Sequence, residues 1–98
     1  MTRMHNPPHP GEVVREYLGD LSLTDAAVHL GVSRTTLQRV VCGTARVSAD
    51  MAYRLGAAFG TGAELWAGIQ MQFDLYQAQG QARPRIPRLG VAARSIGK

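Results

Sequence analysis

Apolar positions along the chain recur at intervals of three and four, and the stretches that carry them open on hydroxyl residues and close on glycine. That spacing belongs to helices that bury one face. Five such helices are predicted. The first starts near His9-Pro10-Gly11-Glu12: proline suits the first helical position, and Glu12 favours the positive end of the helix dipole. Val13, Val14, Tyr17, Leu18 and Leu21 form its inward stripe, and Gly19 to Leu21 closes it. Ser22 and Asp25 then read as a capping pair for a short helix, Leu23 to Leu30, with Ala26, Ala27 and Leu30 inward. Gly31 ends it and Val32 plugs the core. Ser33 caps a third helix, Arg34 to Cys42, which Gly43 ends. After a loop from Thr44 to Val47, Ser48 opens a fourth helix through Phe59 with Met51, Ala52, Leu55, Ala58 and Phe59 inward. Thr61 and Glu64 read as a second capping box, opening a fifth helix to about Gln79 that carries Leu65, Trp66, Ile69, Phe73 and Tyr76. No strand signal competes, so the fold class is all-α.

The segment Leu23 to Val41 carries the chemical message. Two short helices meet through Gly31-Val32-Ser33, a tight turn with an apolar plug. Small Ala27 lies one turn earlier, where the helices cross, and Leu37 and Val40 supply the inner face of the second. Ala27, Leu30, Gly31, Val32, Leu37 and Val40 thus fall at the spacing of a DNA-binding helix-turn-helix, against the rival of an ordinary helical hairpin in a bundle. The outer face separates the two. With Leu37 at zero, Gln38, Thr35 and Arg39 fall at about 100°, 160° and 200° around the third helix. With Arg34 they make an outer face without an acid. Arginine can pair bidentately with guanine and glutamine with adenine. The Ser33 hydroxyl and the free N–H groups at the helix start can hold a phosphate. Ser33, Arg34, Thr35, Thr36, Gln38 and Arg39 are the candidate DNA contacts, with Thr44 and Arg46 in the following loop as further grips on the backbone.

On these residues the chain resembles the HigA-type antitoxins of the XRE helix-turn-helix family. The motifs are HPGEVVREYL (His9 to Leu18), LTDAAVHLGVSRTTLQRVVCG (Leu23 to Gly43), VSADMAYRLGAAFGTGAELW (Val47 to Trp66) and MQFDLYQA (Met71 to Ala78). The resemblance implies a five-helix phage-repressor-like (lambda repressor-like) domain. It implies a homodimer that binds palindromic double-stranded operator DNA and represses its own operon. It implies neutralisation of a HigB-type toxin, a messenger-cleaving ribonuclease. It also places base reading at Arg34, Thr35, Gln38 and Arg39. The chain departs from the family at Cys42, where asparagine is common, and the segment after Gln79 lies outside the motifs. A stand-alone XRE repressor without a toxin is the alternative.

A short recognition helix reads few base pairs, and specific operators usually need two such helices about 34 Å apart. The chain should therefore carry a dimer surface. Leu65, Trp66, Ile69, Phe73 and Tyr76 are the candidates, since large apolar and aromatic residues favour interfaces; the competing reading is that they complete the monomer core. Glu12, Glu16 and Asp20 recur every four residues along the first helix. They are either a solvated face or the site for a basic toxin.

Composition narrows the rest. The chain has 98 residues, a formal net charge of +4 and one cysteine. One cysteine leaves no internal disulfide, and no CxxC offers a zinc site. No apolar run approaches the roughly 20 residues of a membrane span, and the polar start lacks a signal-peptide core. A soluble bacterial cytoplasmic protein is expected, at the nucleoid when bound to DNA. His5 and His9 are four apart in a proline-bearing stretch, which makes a poor metal pair, and His29, Cys42 and Asp50 form no recognisable catalytic set. HExxH, GxSxG and phosphate-loop patterns do not occur, so no enzyme, cofactor or metal is expected. The helix-turn-helix lacks exposed aromatics for stacking single-stranded bases. The charge is uneven: residues 1–80 hold six basic and seven acidic residues, while Arg83, Arg85, Arg88, Arg94 and Lys98 follow with no acid. The chain divides into an arm (1–8), the helical domain (9–79) and a basic tail (80–98) without helical period. The tail is read as disordered when free, and as a solubilising segment, a phosphate-contacting one or a partner-binding arm.

Overall fold

The computed structural model describes residues 6–90, which form α1 (Pro10–Leu18), α2 (Leu23–Leu30), α3 (Arg34–Cys42), α4 (Ala49–Phe59) and α5 (Ala63–Gln79). The fold is all-α, and the described residues contain no strand. The expectations on Arg3, His5, Arg94 and Lys98 lie outside the described residues.

Hydroxyl caps start three of the helices. The side chains of Ser22, Ser33 and Ser48 accept from the N–H groups of Asp25, Thr36 and Met51, satisfying donors that the first turn leaves open. α1 is capped differently. His9 Nδ1 accepts from the Gly11 N–H at 2.9 Å, and Pro10 occupies the first turn. α5 departs from the expected Thr61–Glu64 box. Its cap residue is Gly62, with no side-chain cap bond, and the Thr61 hydroxyl instead accepts from the Trp66 indole N–H at 2.9 Å. A buried indole must place its donor, and Thr61 provides the acceptor.

The core gathers one face of every helix: Val14 and Leu18, Ala26, Ala27 and Leu30, Leu37, Val40 and Val41, Met51, Ala52 and Leu55, and Trp66, with Val47 from the loop before α4. Val32 is only half-buried against this core. Tyr17 and Leu21 were expected inward but are 46% and 49% exposed. α1 ends at Leu18, so Leu21 lies beyond the helical stripe. Tyr17 leans over the rim instead, with ring centroids 5.1 Å from Phe59 and 5.2 Å from Trp66. Asp20 likewise falls in the turn after α1, off the helix that carries Glu12 and Glu16.

A close backbone approach fixes α1 on α3. A Cβ at Gly11 would sit 2.4 Å from the Val40 carbonyl oxygen and 2.5 Å from that of Val41. Only glycine permits that contact, which explains the residue after the proline in the HPGE start. Beyond α5, residues 82–89 form no regular element, and residues 80–90 are exposed. Among the described residues no helix is long and apolar enough to cross a membrane.

Candidate nucleic-acid interface

The turn joining α2 and α3 is held by its own backbone and by a side chain of α4. Gly31 closes α2 with φ 77°, a left-handed turn that L side chains adopt at a cost, and its N–H bonds the carbonyls of Ala27 and Val28. The Val32 N–H also returns to the Ala27 carbonyl. Behind the turn, Arg54 of α4 donates from one guanidinium nitrogen to the carbonyls of Leu30 (2.8 Å) and Gly31 (3.3 Å), while its Nε donates to Asp50 at 2.8 Å. Arg54 thus caps the end of α2 from another helix. Its sequence context shows only an i,i+4 pair with Asp50, so the longer reach was not legible there.

Leu37, Val40 and Val41 anchor α3 in the core, and the opposite face stands in solvent. Arg34, Thr35, Thr36, Gln38 and Arg39 are all exposed. Thr35, Gln38, Arg39, Cys42 and Thr44 line one shallow hollow. The Arg34 guanidinium donates to Gln38 Oε1 at 3.1 Å, one helical turn away. That bond orients both side chains while leaving the glutamine NH2 and most of the guanidinium donors open. Arg39 forms no ion pair among the described residues. Thr44 turns back and donates to the Arg39 carbonyl at 3.3 Å, covering the end of α3.

Three further candidate contacts, Ser33, Thr36 and Arg46, are engaged within the chain. The Ser33 oxygen accepts from the Thr36 N–H and its hydroxyl donates to Thr36 Oγ1 at 2.8 Å, so both hydroxyls serve the cap. The phosphate-binding potential of this helix start therefore rests on the backbone N–H groups of Arg34 and Thr35. Arg46 is paired with Asp74 of α5 instead of standing free beside Thr44.

The pairing belongs to a chain of polar contacts. Gln70, buried on α5, accepts from the Val47 N–H at 2.6 Å through Oε1 and donates to Asp74 Oδ1 at 2.9 Å through Nε2. Burial pushes the Asp74 carboxyl up. The hydrogen bonds from Arg46 and Gln70, together with the Arg46 charge, outweigh that and hold it below its ordinary value. Sequence reasoning missed Gln70 and Asp74. The available signal was a polar residue one turn after Trp66 on the inward face, with a carboxylate one turn further.

The five expected dimer residues separate in space. Trp66 is fully buried in the core and offers no surface to a second chain. Phe73 packs edge-on against His9 with ring centroids 4.8 Å apart, and His9 in turn lies over Gly43 at the end of α3. Leu65 is exposed, and Ile69 and Tyr76 are half-buried. Met71 and Leu75, not singled out from sequence, are 54% and 56% exposed. Apolar residues therefore occupy both sides of α5. On α1, Glu12 and Glu16 are exposed and make no ion pair among the described residues. No group of three or more His, Cys, Asp or Glu among the described residues could hold a metal ion.

Comparison with known proteins places this geometry. No protein-family model matches the chain. Virulence-associated protein A' of Dichelobacter nodosus is 37% identical over 87 residues, covering 86% of this chain and 76% of that protein. A proposed antidote protein of a plasmid maintenance system from Nostoc punctiforme superposes with a TM-score of 0.73 at 42% identity, covering 76% of this chain and 85% of the other. The antitoxin HigA of Pseudomonas aeruginosa, solved with the higBA promoter, superposes with a TM-score of 0.68 at 35% identity, covering 82% and 99%. Antitoxins and helix-turn-helix regulators are a non-enzymatic kind of protein.

Proposed function

This chain belongs to the HigA-type antitoxins of the XRE helix-turn-helix family, and from that premise we propose that it is an antitoxin that binds operator DNA through α3 and represses its own operon. The observation that carries this reading is the outer face of α3: exposed and free of acids, with Thr35, Gln38 and Arg39 lining one hollow together with Cys42 and Thr44, and Arg34 bonded to Gln38 beside it. Gln38 and Arg39 read base edges in the major groove, with Arg34 oriented by Gln38. Thr35 stands with them on that face, while Thr44 and the first-turn N–H groups bind phosphates. Thr36 and Ser33 hold the helix start rigid for that contact.

Two copies of α3 engage one operator. The dimer forms through the outer side of α5, where Leu65, Leu75 and Met71 are exposed beside Ile69 and Tyr76. A helix apolar on both sides has one side left to cover once the core is satisfied. The dimer acts in the bacterial cytoplasm.

The toxin partner is a HigB-type ribonuclease. A basic ribonuclease would find complementary charge at Glu12 and Glu16, with Asp20 on the adjoining turn. Residues 80–98 carry five basic residues and no acid.

Co-expression with the neighbouring reading frame tests the antitoxin reading. A small basic ribonuclease that co-purifies with this chain, and whose messenger cleavage stops in the complex, is expected. A neighbour without such a product, together with retained binding to the chain's own promoter, would favour the stand-alone repressor. Reversing Glu12 and Glu16 to lysine should weaken the toxin complex; unchanged toxin affinity would remove the acidic site from the account.

A further inference from the structure

The loop from Thr44 to Val47 leaves the end of the recognition helix and enters α4, so its position sets where Thr44 and the last turn of α3 stand. Loops of this length move unless something ties them down. Here the tie comes from α5. Gln70 reaches out of the core to accept the Val47 N–H, Asp74 accepts from Gln70, and Arg46 pairs with Asp74. Two adjacent loop residues are thus gripped, one through its backbone and one through its side chain, by residues one turn apart on one helix. A buried amide with both ends satisfied is a rigid element. At the other end of the loop the Thr44 and Ala45 N–H groups both return to the Arg39 carbonyl.

We propose that Gln70, Asp74 and Arg46 form a clamp by which α5 positions the loop behind the recognition helix, so that Asp74 and Gln70 are positioning residues for DNA binding and Arg46 acts through the clamp, not as a phosphate ligand. The proposal rests on the DNA-binding reading of α3. It adds that α5, the helix assigned to the dimer, also sets the register of the reading face within each copy. Arg46 is exposed enough to be mistaken for a DNA contact, yet its charge is matched by Asp74, which is itself held in place by Gln70.

Binding of the full chain to its own promoter DNA and to random duplex, across a series of salt concentrations, tests this with Arg46→Ala, Asp74→Asn, their double variant and Asp74→Glu. Both altered positions are partly exposed, which favours folded variants, and circular dichroism with stoichiometric titration fixes the active fraction. The clamp predicts that either single variant weakens promoter binding by roughly tenfold. It predicts that the double variant is no worse than either single one, and that Asp74→Glu restores most of the loss. The salt slope stays that of the wild type. A phosphate-ligating Arg46 would instead flatten the slope by about 0.9 in Arg46→Ala, with Asp74→Asn binding as well as or better than the wild type, and that would overturn the proposal. So would a lowered melting temperature with unchanged promoter affinity per active molecule, which marks a purely structural network. Failure of the wild-type protein to prefer its promoter over random duplex would overturn the DNA-binding reading itself, an outcome distinct from both.

Discussion

A methyl group added at Gly11 would meet two carbonyl oxygens of α3 at 2.4 and 2.5 Å, and backbone cannot step aside as a side-chain tip can. Gly11→Ala should therefore destabilise the fold by roughly 1–3 kcal/mol in urea unfolding, the range of an overpacked contact. A loss near zero would mean that α1 can slide. His9 and Gly11 show what the sequence permitted and what it hid. Pro10 and Glu12 announce a helix start by themselves. The need for glycine comes from a partner some 30 residues away, and no local pattern carries it. Asp74 is a second case. A carboxylate held below its unfolded value stabilises the native state fully above that unfolded value, about 3.9 for aspartate, and loses the contribution as the pH falls through the lower folded value. The stability difference between wild type and Asp74→Asn should hold from neutral pH to about 4 and shrink below it. A difference that grew on acidification would contradict the pairing with Arg46.

At the scale of elements, all five helices were legible, because serine caps, glycine stops and apolar spacing agree with one another over α2, α3 and α4. Legibility failed where a residue answers to another element. Thr61 has the sequence look of a cap but serves the Trp66 indole. Trp66 and Phe73 look like interface aromatics, yet Trp66 fills the core and Phe73 meets His9. The reason lies in α5 itself. Its apolar residues lie on both sides, so spacing could not say which faced the core. The outward set now defines a sharper experiment. Leu65→Glu and Leu75→Glu place charge on exposed positions, so the fold should survive. The mass in solution should fall to that of one chain. Shortening the chain before α5 cannot make this test, since it removes Trp66 from the core. A dimer mass unchanged by both substitutions would move the interface elsewhere.

Seen as a whole, the molecule separates charge from recognition. Residues 1–80 carry one more acid than base, and the last 18 residues carry all of the remaining positive charge. Net charge therefore does not make the domain a DNA binder. Placement does: the acids lie on α1, α2, α4 and α5 and in the turn after α1, and α3 has none. The rigid parts, from the Gly31 turn and Arg54 to the loop tied by Gln70, surround that helix and leave its outer face free. The reading of that face as the specific contact is most directly tested at Arg39. Affinity of the wild type and of Arg39→Ala should be measured on the chain's own promoter and on random duplex at one salt concentration. The expected result is a loss of about 1–3 kcal/mol on the promoter with a much smaller loss on random DNA. An equal loss on both, or none on the promoter, would contradict base reading by α3.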